Sequence, residues 1–204
     1  MIRVGVLALQ GDYQAHVEAL ERAAAREGIA LEVTEVRRPS DLANLAGLVI
    51  PGGESTTLLK LLAAEDLGMA IRRWATEQGG SVFGTCAGAI LVSRDVRSPE
   101  QASLDLLDAS IERNAYGRQV DSFIELLPAV EGSPFGSEAV EAVFIRAPRF
   151  VEVGRGVEIL LRRGDEPVLV RQGRVLAATF HPELTSDTRI HQLFLKEIVA
   201  CASP

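Results

Sequence analysis

The stretch that most constrains this chain is Gly84-Thr85-Cys86-Ala87-Gly88, set between the apolar runs Ser81-Val82-Phe83 and Ala89-Ile90-Leu91-Val92. An apolar run of strand length, a turn bracketed by glycines and a second apolar run spell strand, sharp turn and helix, with the cysteine at the turn. This is the Gly-x-Ser-x-Gly nucleophile-elbow pattern with sulfur in place of oxygen. The glycines permit a backbone path that a Cβ would obstruct. A thiol placed at a helix N-terminus meets the positive end of the peptide dipoles, the setting in which cysteines act as nucleophiles. Free cysteines also pack as small buried apolar residues. The strand-to-helix junction and the glycine bracket favour the nucleophile here.

The elbow demands a sheet, and the rest of the chain supplies one. Residues 2–9 form a near-continuous apolar run, as in a strand covered on both faces. Gln10-Gly11-Asp12 breaks it, and helical spacing of Val17, Leu20 and Ala24 follows over 13–27, with Gly28 as the C-cap. Strands are expected at 30–36 and 47–50, helices at 56–64 and 67–78, and a strand at 81–84 that enters the elbow. This is the βαβ rhythm of a parallel sheet with covering helices. The second half is richer in short Val, Ile, Leu and Phe runs. Residues 157–180 read as a β-meander with two tight turns, and a final helix spans about 187–200 with Ile190, Leu193, Phe194 and Ile198 on one face. Residues 95–104 are the best loop candidate. The expectation is one α/β three-layer domain over 1–204: a mostly parallel central sheet, flanking helices and an antiparallel extension in the second half.

Charge and composition narrow the function. A net charge of −7 and a pI near 5.1 argue against a general nucleic-acid binder. No uncharged apolar run is long enough to cross a membrane, and the N-terminus lacks a signal-peptide plan, so a cytoplasmic location is expected. The two cysteines, Cys86 and Cys201, do not make a disulfide framework, and Cys201 reads as a tolerated small residue at a helix end. The His, Cys and carboxylate spacings form no metal-ligand cluster, and no cofactor is expected.

Two further segments carry chemistry. His181-Pro182-Glu183 follows the strand Leu176–Phe180. In an extended segment residues two apart share a side, so Glu183 would orient His181 and His181 would act as base toward Cys86. His16 and His191 fall in helical stretches and read as solvated or packing residues. Pro51-Gly52-Gly53-Glu54-Ser55 lies between a short buried strand and a helix. Its glycines leave backbone N–H groups open to a ligand, so Gly53, with Ala87 just after the nucleophile, would form an oxyanion hole.

The ordered motifs PGGES, GTCAG and HPE resemble the class I (triad) glutamine amidotransferases. The resemblance is closest to the glutaminase subunits of pyridoxal 5′-phosphate synthases. It is carried by Gly5–Gly11, Pro51–Thr57, Phe83–Gly88, Glu112-Arg113-Asn114, Tyr116–Phe123, Phe144–Pro148 and Phe180–Thr185. It implies that Cys86 attacks the side-chain carboxamide of L-glutamine, forms a glutamyl thioester and releases ammonia. It further implies glutamine binding by Gly53, Glu54, Ser55, Arg113, Ile145 and Arg146. An arginine would meet the substrate carboxylate and Glu54 its ammonium. The implied partner is a (β/α)₈ synthase subunit in a hetero-oligomer, which receives the ammonia and builds the vitamin from a pentose phosphate and a triose phosphate. Gln10 and Gly11 would lie at the partner interface or activation site. Rival readings are a glutaminase for a purine, histidine or folate precursor pathway, a cysteine hydrolase or protease on the same sheet, and a non-catalytic module on the same scaffold.

Overall fold

A computed structural model describes residues 1–113, 122–128 and 132–202. Its centre is a seven-stranded sheet. Four parallel strands come from the first half: β1 (Ile2–Leu7), β2 (Leu31–Val36), β3 (Gly47–Ile50) and β4 (Ser81–Thr85). β12 (Val175–Ala178) joins them in parallel beside β4. β10 (Glu158–Arg163) and β11 (Glu166–Gln172) extend that edge antiparallel, giving the order β10-β11-β12-β4-β3-β1-β2. The expected meander is therefore the antiparallel extension.

Two apolar layers cover the sheet, which explains why its strands read as unbroken apolar runs. Along β1 and β4, neighbouring residues go to opposite faces: Leu7 and Val82 to one, Val6 and Phe83 to the other. The first face packs against α2 (Ser55–Ala64), α3 (Leu67–Glu77) and α4 (Ala87–Val92). The second face packs against α1 (Tyr13–Glu27) and α5 (Arg189–Ala202). α1 starts where Asp12 accepts a hydrogen bond from the Ala15 N–H at 3.1 Å and stops at Gly28 in the left-handed conformation, φ 64°. Cys201 is exposed in the last turn of α5.

Two small sheets lie outside the central one. β5 (Ser93–Arg97), β6 (Leu107–Glu112) and β9 (Arg149–Val153) form the first, and β7 (Phe123–Leu127) pairs with β8 (Val140–Phe144) in the second. β5 corrects the expected loop at 95–104: the strand continues through Arg97, so the loop starts at residue 98. Its sequence, Ser-Arg-Asp-Val-Arg, holds one strong strand former, and its order comes from parallel pairing with β6. Among the described residues, no helix is long and apolar enough to cross a membrane.

Candidate active site

Cys86 stands at the C-terminal end of β4, in the middle of the central sheet, where α/β folds place their sites. Its φ of 49° and ψ of −104° lie outside the ordinary regions for a residue with a Cβ. The surroundings enforce this bend. The Cys86 N–H donates to the Ala178 carbonyl on β12 at 2.8 Å, and the Ile90 N–H donates to the Cys86 carbonyl at 3.1 Å. The two elbow glycines are steric requirements. A Cβ on Gly84 would stand 2.6 Å from the Gly88 carbonyl group, and one on Gly88 would be driven into the Ile50 carbonyl of β3. The Cys86 Sγ lies 3.9 Å from the Ile145 carbonyl, a weak S–H donation. Ala87 opens α4, so its N–H is among those without a partner inside the helix, on a residue that is itself buried.

His181 follows β12, the strand next to β4, and its N–H is anchored to the Val143 carbonyl at 2.8 Å. Its Nδ1 is 2.7 Å from Glu183 Oε1, leaving Nε2 for Cys86. The contact between His181 and Glu183 arises differently from the extended-strand expectation: Pro182–Leu184 form a 3-10 turn, and the turn brings the carboxylate back to the ring. Proline at its first position fixes φ for that turn. Burial of His181 disfavours the imidazolium. Hydrogen bonds with Cys86 and Glu183 outweigh it and push the His181 pKa up to about 10. Burial likewise disfavours the Glu183 carboxylate, yet His16 and His181 together hold its carboxyl well below the usual carboxylate range.

The His181 shift sets a pH dependence of stability. A folded-state pKa raised from 6.5 to about 10 contributes stability that is complete below about pH 6.5 and is lost as pH rises through 10. Melting temperature should therefore fall between pH 7 and 10, and less steeply in His181→Gln. Parallel slopes in the two proteins would show that this shift is not coupled to folding.

Gly11, Gly53, Glu54, Ser55, Arg113, Ile145 and Arg146 line one cavity of about 400 Å³ with Cys86, His181 and Glu183. Glu54 is the N-cap of α2: its oxygens accept from the Thr56 and Thr57 N–H groups at 2.9 and 2.7 Å and from the Thr57 hydroxyl at 2.7 Å. The Thr57 hydroxyl and the Thr56 N–H pull its pKa down to about 2, so it stays anionic. Arg113 Nη2 donates to the Thr56 hydroxyl at 2.7 Å and lies 3.5 Å from Glu54 Oε1, which fixes the guanidinium at the cavity wall. Ser55 Oγ donates to Gln101 Oε1 at 3.4 Å, a tie to the 98–106 loop with no sequence signal. Arg146 has φ 45°, a strained backbone at the cavity edge. Gln10 Nε2 donates to the Glu54 carbonyl at 2.6 Å, and Gly11 packs its Cα against the Gly52 carbonyl, so the turn after β1 touches the Gly52-Gly53-Glu54 loop directly. Of the Glu112–Phe123 motif, residues 114–121 lie outside the described residues, as do 129–131 in the segment 128–141.

A model of the SNO glutamine amidotransferase family matches residues 6–200. The chain belongs to this family. It is 53% identical over 194 residues to the pyridoxal 5′-phosphate synthase subunit PdxT of Thermus thermophilus, covering 95% of this chain and 96% of that protein. It is 52% identical over 198 residues to the PdxT of Koribacter versatilis, covering 97% and 96%. A crystal structure described as a glutamine amidotransferase matches with a TM-score of 0.85 at 50% identity, covering 96% of this chain and 98% of that one. A glutamine amidotransferase from Thermotoga maritima, at 14% identity and a TM-score of 0.59, shares the fold, covering 100% of this chain and 86% of that one.

Of the two alternatives read for His16 and His191, solvated or packing, the structure corrects the first and agrees with the second. Neither is solvated: both are fully buried, and both join polar contacts behind Glu183. The signal was present in the spacing. His16 shares a stripe with Ala19, Leu20 and Ala23, and His191 with Phe194, Leu195 and Ile198, all buried.

Proposed function

We propose that this chain is the glutaminase subunit of a pyridoxal 5′-phosphate synthase, with residues 1–204 forming one cytoplasmic amidotransferase unit and Cys86, His181 and Glu183 as its catalytic triad. The observation that carries the reading is the cysteine at a strained elbow, with a histidine beside it whose far nitrogen is held by a buried carboxylate. Full-length likeness to PdxT proteins favours this synthase over purine, histidine or folate pathways. Retention of Cys86, His181 and Glu183 counts against a non-catalytic module.

L-Glutamine enters with its α-carboxylate toward Arg113 or Arg146 and its α-ammonium toward Glu54, while Ser55 and the Ile145 backbone complete the cavity wall. His181 is a strong base in this setting, which favours transfer of the thiol proton to its ring. The sulfur attacks the carboxamide carbon, and the oxyanion forms at the Ala87 and Gly53 N–H groups. The C–N bond breaks as His181 delivers its proton to the departing nitrogen. Ammonia leaves, and a glutamyl thioester stays on Cys86. Water, deprotonated by His181, attacks the thioester, and glutamate and the thiol are released. Glu183 keeps the His181 proton on Nδ1 between steps.

The ammonia goes to a (β/α)₈ synthase subunit. The Gln10-Gly11 turn supports a regulatory role for that partner, because this turn holds the Gly52–Glu54 loop on which the oxyanion site depends. Docking on the turn orders the oxyanion hole, and the free subunit is a poor glutaminase. Glutamate release should rise at least about 10-fold on adding the synthase subunit, the scale of one oxyanion donor at less than its full worth. Full activity alone with no response to the synthase would overturn the partner assignment.

A further inference from the structure

Behind the triad lies a buried polar cluster that the reaction as described does not use. His16 on α1 and His191 on α5 are both fully buried, with His16 Nδ1 3.2 Å from His191 Nε2. His16 Nε2 stands 3.3 Å from Glu183 Oε2 and 3.1 Å from the Thr85 hydroxyl. Glu183 Oε1 is taken by His181. Oε2 is equally buried and receives no well-aligned hydrogen bond from the described residues. The His16 contact, shared with Thr85, is thus its close polar support. An unbroken run of polar contacts leads from α5 through α1 and the turn after β12 to the nucleophile.

We propose that His16 is a positioning residue for the triad: its Nε2–H faces the second carboxylate oxygen of Glu183, and His191 fixes the ring that presents it. The proposal rests on the glutaminase reading above.

The proton positions follow from what each alternative would strand. If His16 Nε2 were bare, two acceptors would face each other at 3.3 Å in a site without water access. His191 Nδ1 has no hydrogen-bond partner among the described residues. A buried N–H without an acceptor is rarer and costlier than a bare ring nitrogen, so the His191 proton sits on Nε2 and donates to His16 Nδ1. His16 then carries its own proton on Nε2, toward Glu183. The groups facing this pair support the assignment. Phe83 on β4 packs edge-on against both rings, at 6.3 and 5.6 Å between centroids. Burial disfavours the imidazolium form of His191 and pushes its pKa down to about 3, so His191 is neutral and has one proton to place. Bonds from α1 to the segment after the triad turn secure the arrangement: Arg26 Nη1 donates to the Thr188 hydroxyl at 2.8 Å, and Gln192 Nε2 donates to Glu27 at 2.6 Å.

Without this support Glu183 turns or takes up a proton, and either change costs His181 its orientation. The test pairs two amides. In His16→Gln the amide nitrogen falls near the Nε2 position, whereas in His16→Asn it is too short to reach it. Glutamate release with the synthase subunit present should fall about 10-fold in kcat for H16N, with KM within about twofold, as for other groups that orient a reacting side chain through one contact. The His181 pKa, read by imidazole ¹⁵N NMR, should fall in H16N, because a Glu183 carboxylate that turns away or takes up a proton no longer stabilises the imidazolium. H16Q should retain most of both properties. A role in packing alone would lower the melting temperature of the two variants alike and leave the His181 pKa in place, which would overturn the proposal. The unmodified protein gives a second test that needs no variant: imidazole ¹⁵N NMR at pH 7 should find the proton of His16 on Nε2. A bare Nε2 would overturn the assignment even with wild-type glutaminase activity intact, whereas absence of glutamate release from the wild type would instead sink the glutaminase reading.

Discussion

Cys86→Ala should release glutamate from glutamine more slowly than the wild type by on the order of 10⁴-fold or more, with or without the synthase subunit. No neighbouring group can replace the sulfur. Ser55 is engaged with Gln101, and the other described residues that line the cavity with Cys86 carry no thiol or hydroxyl. The fold should survive the change, because the cysteine makes only a weak contact to the Ile145 carbonyl and the bond to His181, both at the cavity and not in the core. A companion substitution separates chemistry from strain. Cys86 is held at φ 49°, where a Cβ costs about 1–3 kcal/mol. Cys86→Ala keeps that Cβ and Cys86→Gly removes it. The glycine variant should therefore be as inactive as the alanine variant but unfold at higher denaturant concentration. Equal stability of the two would mean that the elbow is not strained.

Gly88→Ala should be the most destabilising single methyl group that can be added to the site. The new Cβ would collide with the Ile50 carbonyl, in a strand buried at the centre of the sheet and paired on both sides. Neither β3 nor α4 can withdraw without breaking the ladder or moving Cys86. Overpacking of backbone against backbone exceeds the usual 1–3 kcal/mol for a crowded core, so a loss of about 3 kcal/mol or more is expected. For a chain of this size that lowers the melting temperature by roughly 6–12 °C. Any folded remainder should have a displaced nucleophile and little activity. Gly28→Ala is the matched control: it has open space around the added methyl, and only the positive φ of 64° opposes it, at a cost of about 1–2 kcal/mol. A Gly88→Ala protein no less stable than the Gly28→Ala protein would contradict the account of the elbow.

Much of this was legible in the sequence because the relevant signals are local. The elbow glycines, the Gly28 cap and the doubly covered strands each follow from a few adjacent residues. The meander was legible for the same reason: its turns, at Gly164 and Gly173, both have positive φ and break the apolar runs cleanly. Three features were hidden because their causes are distant in sequence. β5 is ordered by pairing with β6, not by its own composition. Gln101 meets Ser55 across 46 positions. His16 and His191 meet across 175 positions, and their role depends on which carboxylate oxygen His181 leaves open. The helical stripes carry the signal for burial of both histidines, although the sequence alone leaves solvated and packing roles open; the pairing with Glu183 required three dimensions. Glu54 is an intermediate case. The residue was placed at the site by its motif, but its first task, capping α2, follows from the turn geometry after Pro51.

The most direct measurement is acid quenching of the wild-type chain with L-glutamine and the synthase subunit, within one turnover, followed by mass spectrometry of the peptide that contains Cys86. The account predicts a peptide heavier by one glutamyl group, a modification labile to hydroxylamine and absent from Cys86→Ala. Glutamate release at the full rate with Cys86 unmodified at every quench time, or with the glutamyl group on another residue, would contradict it.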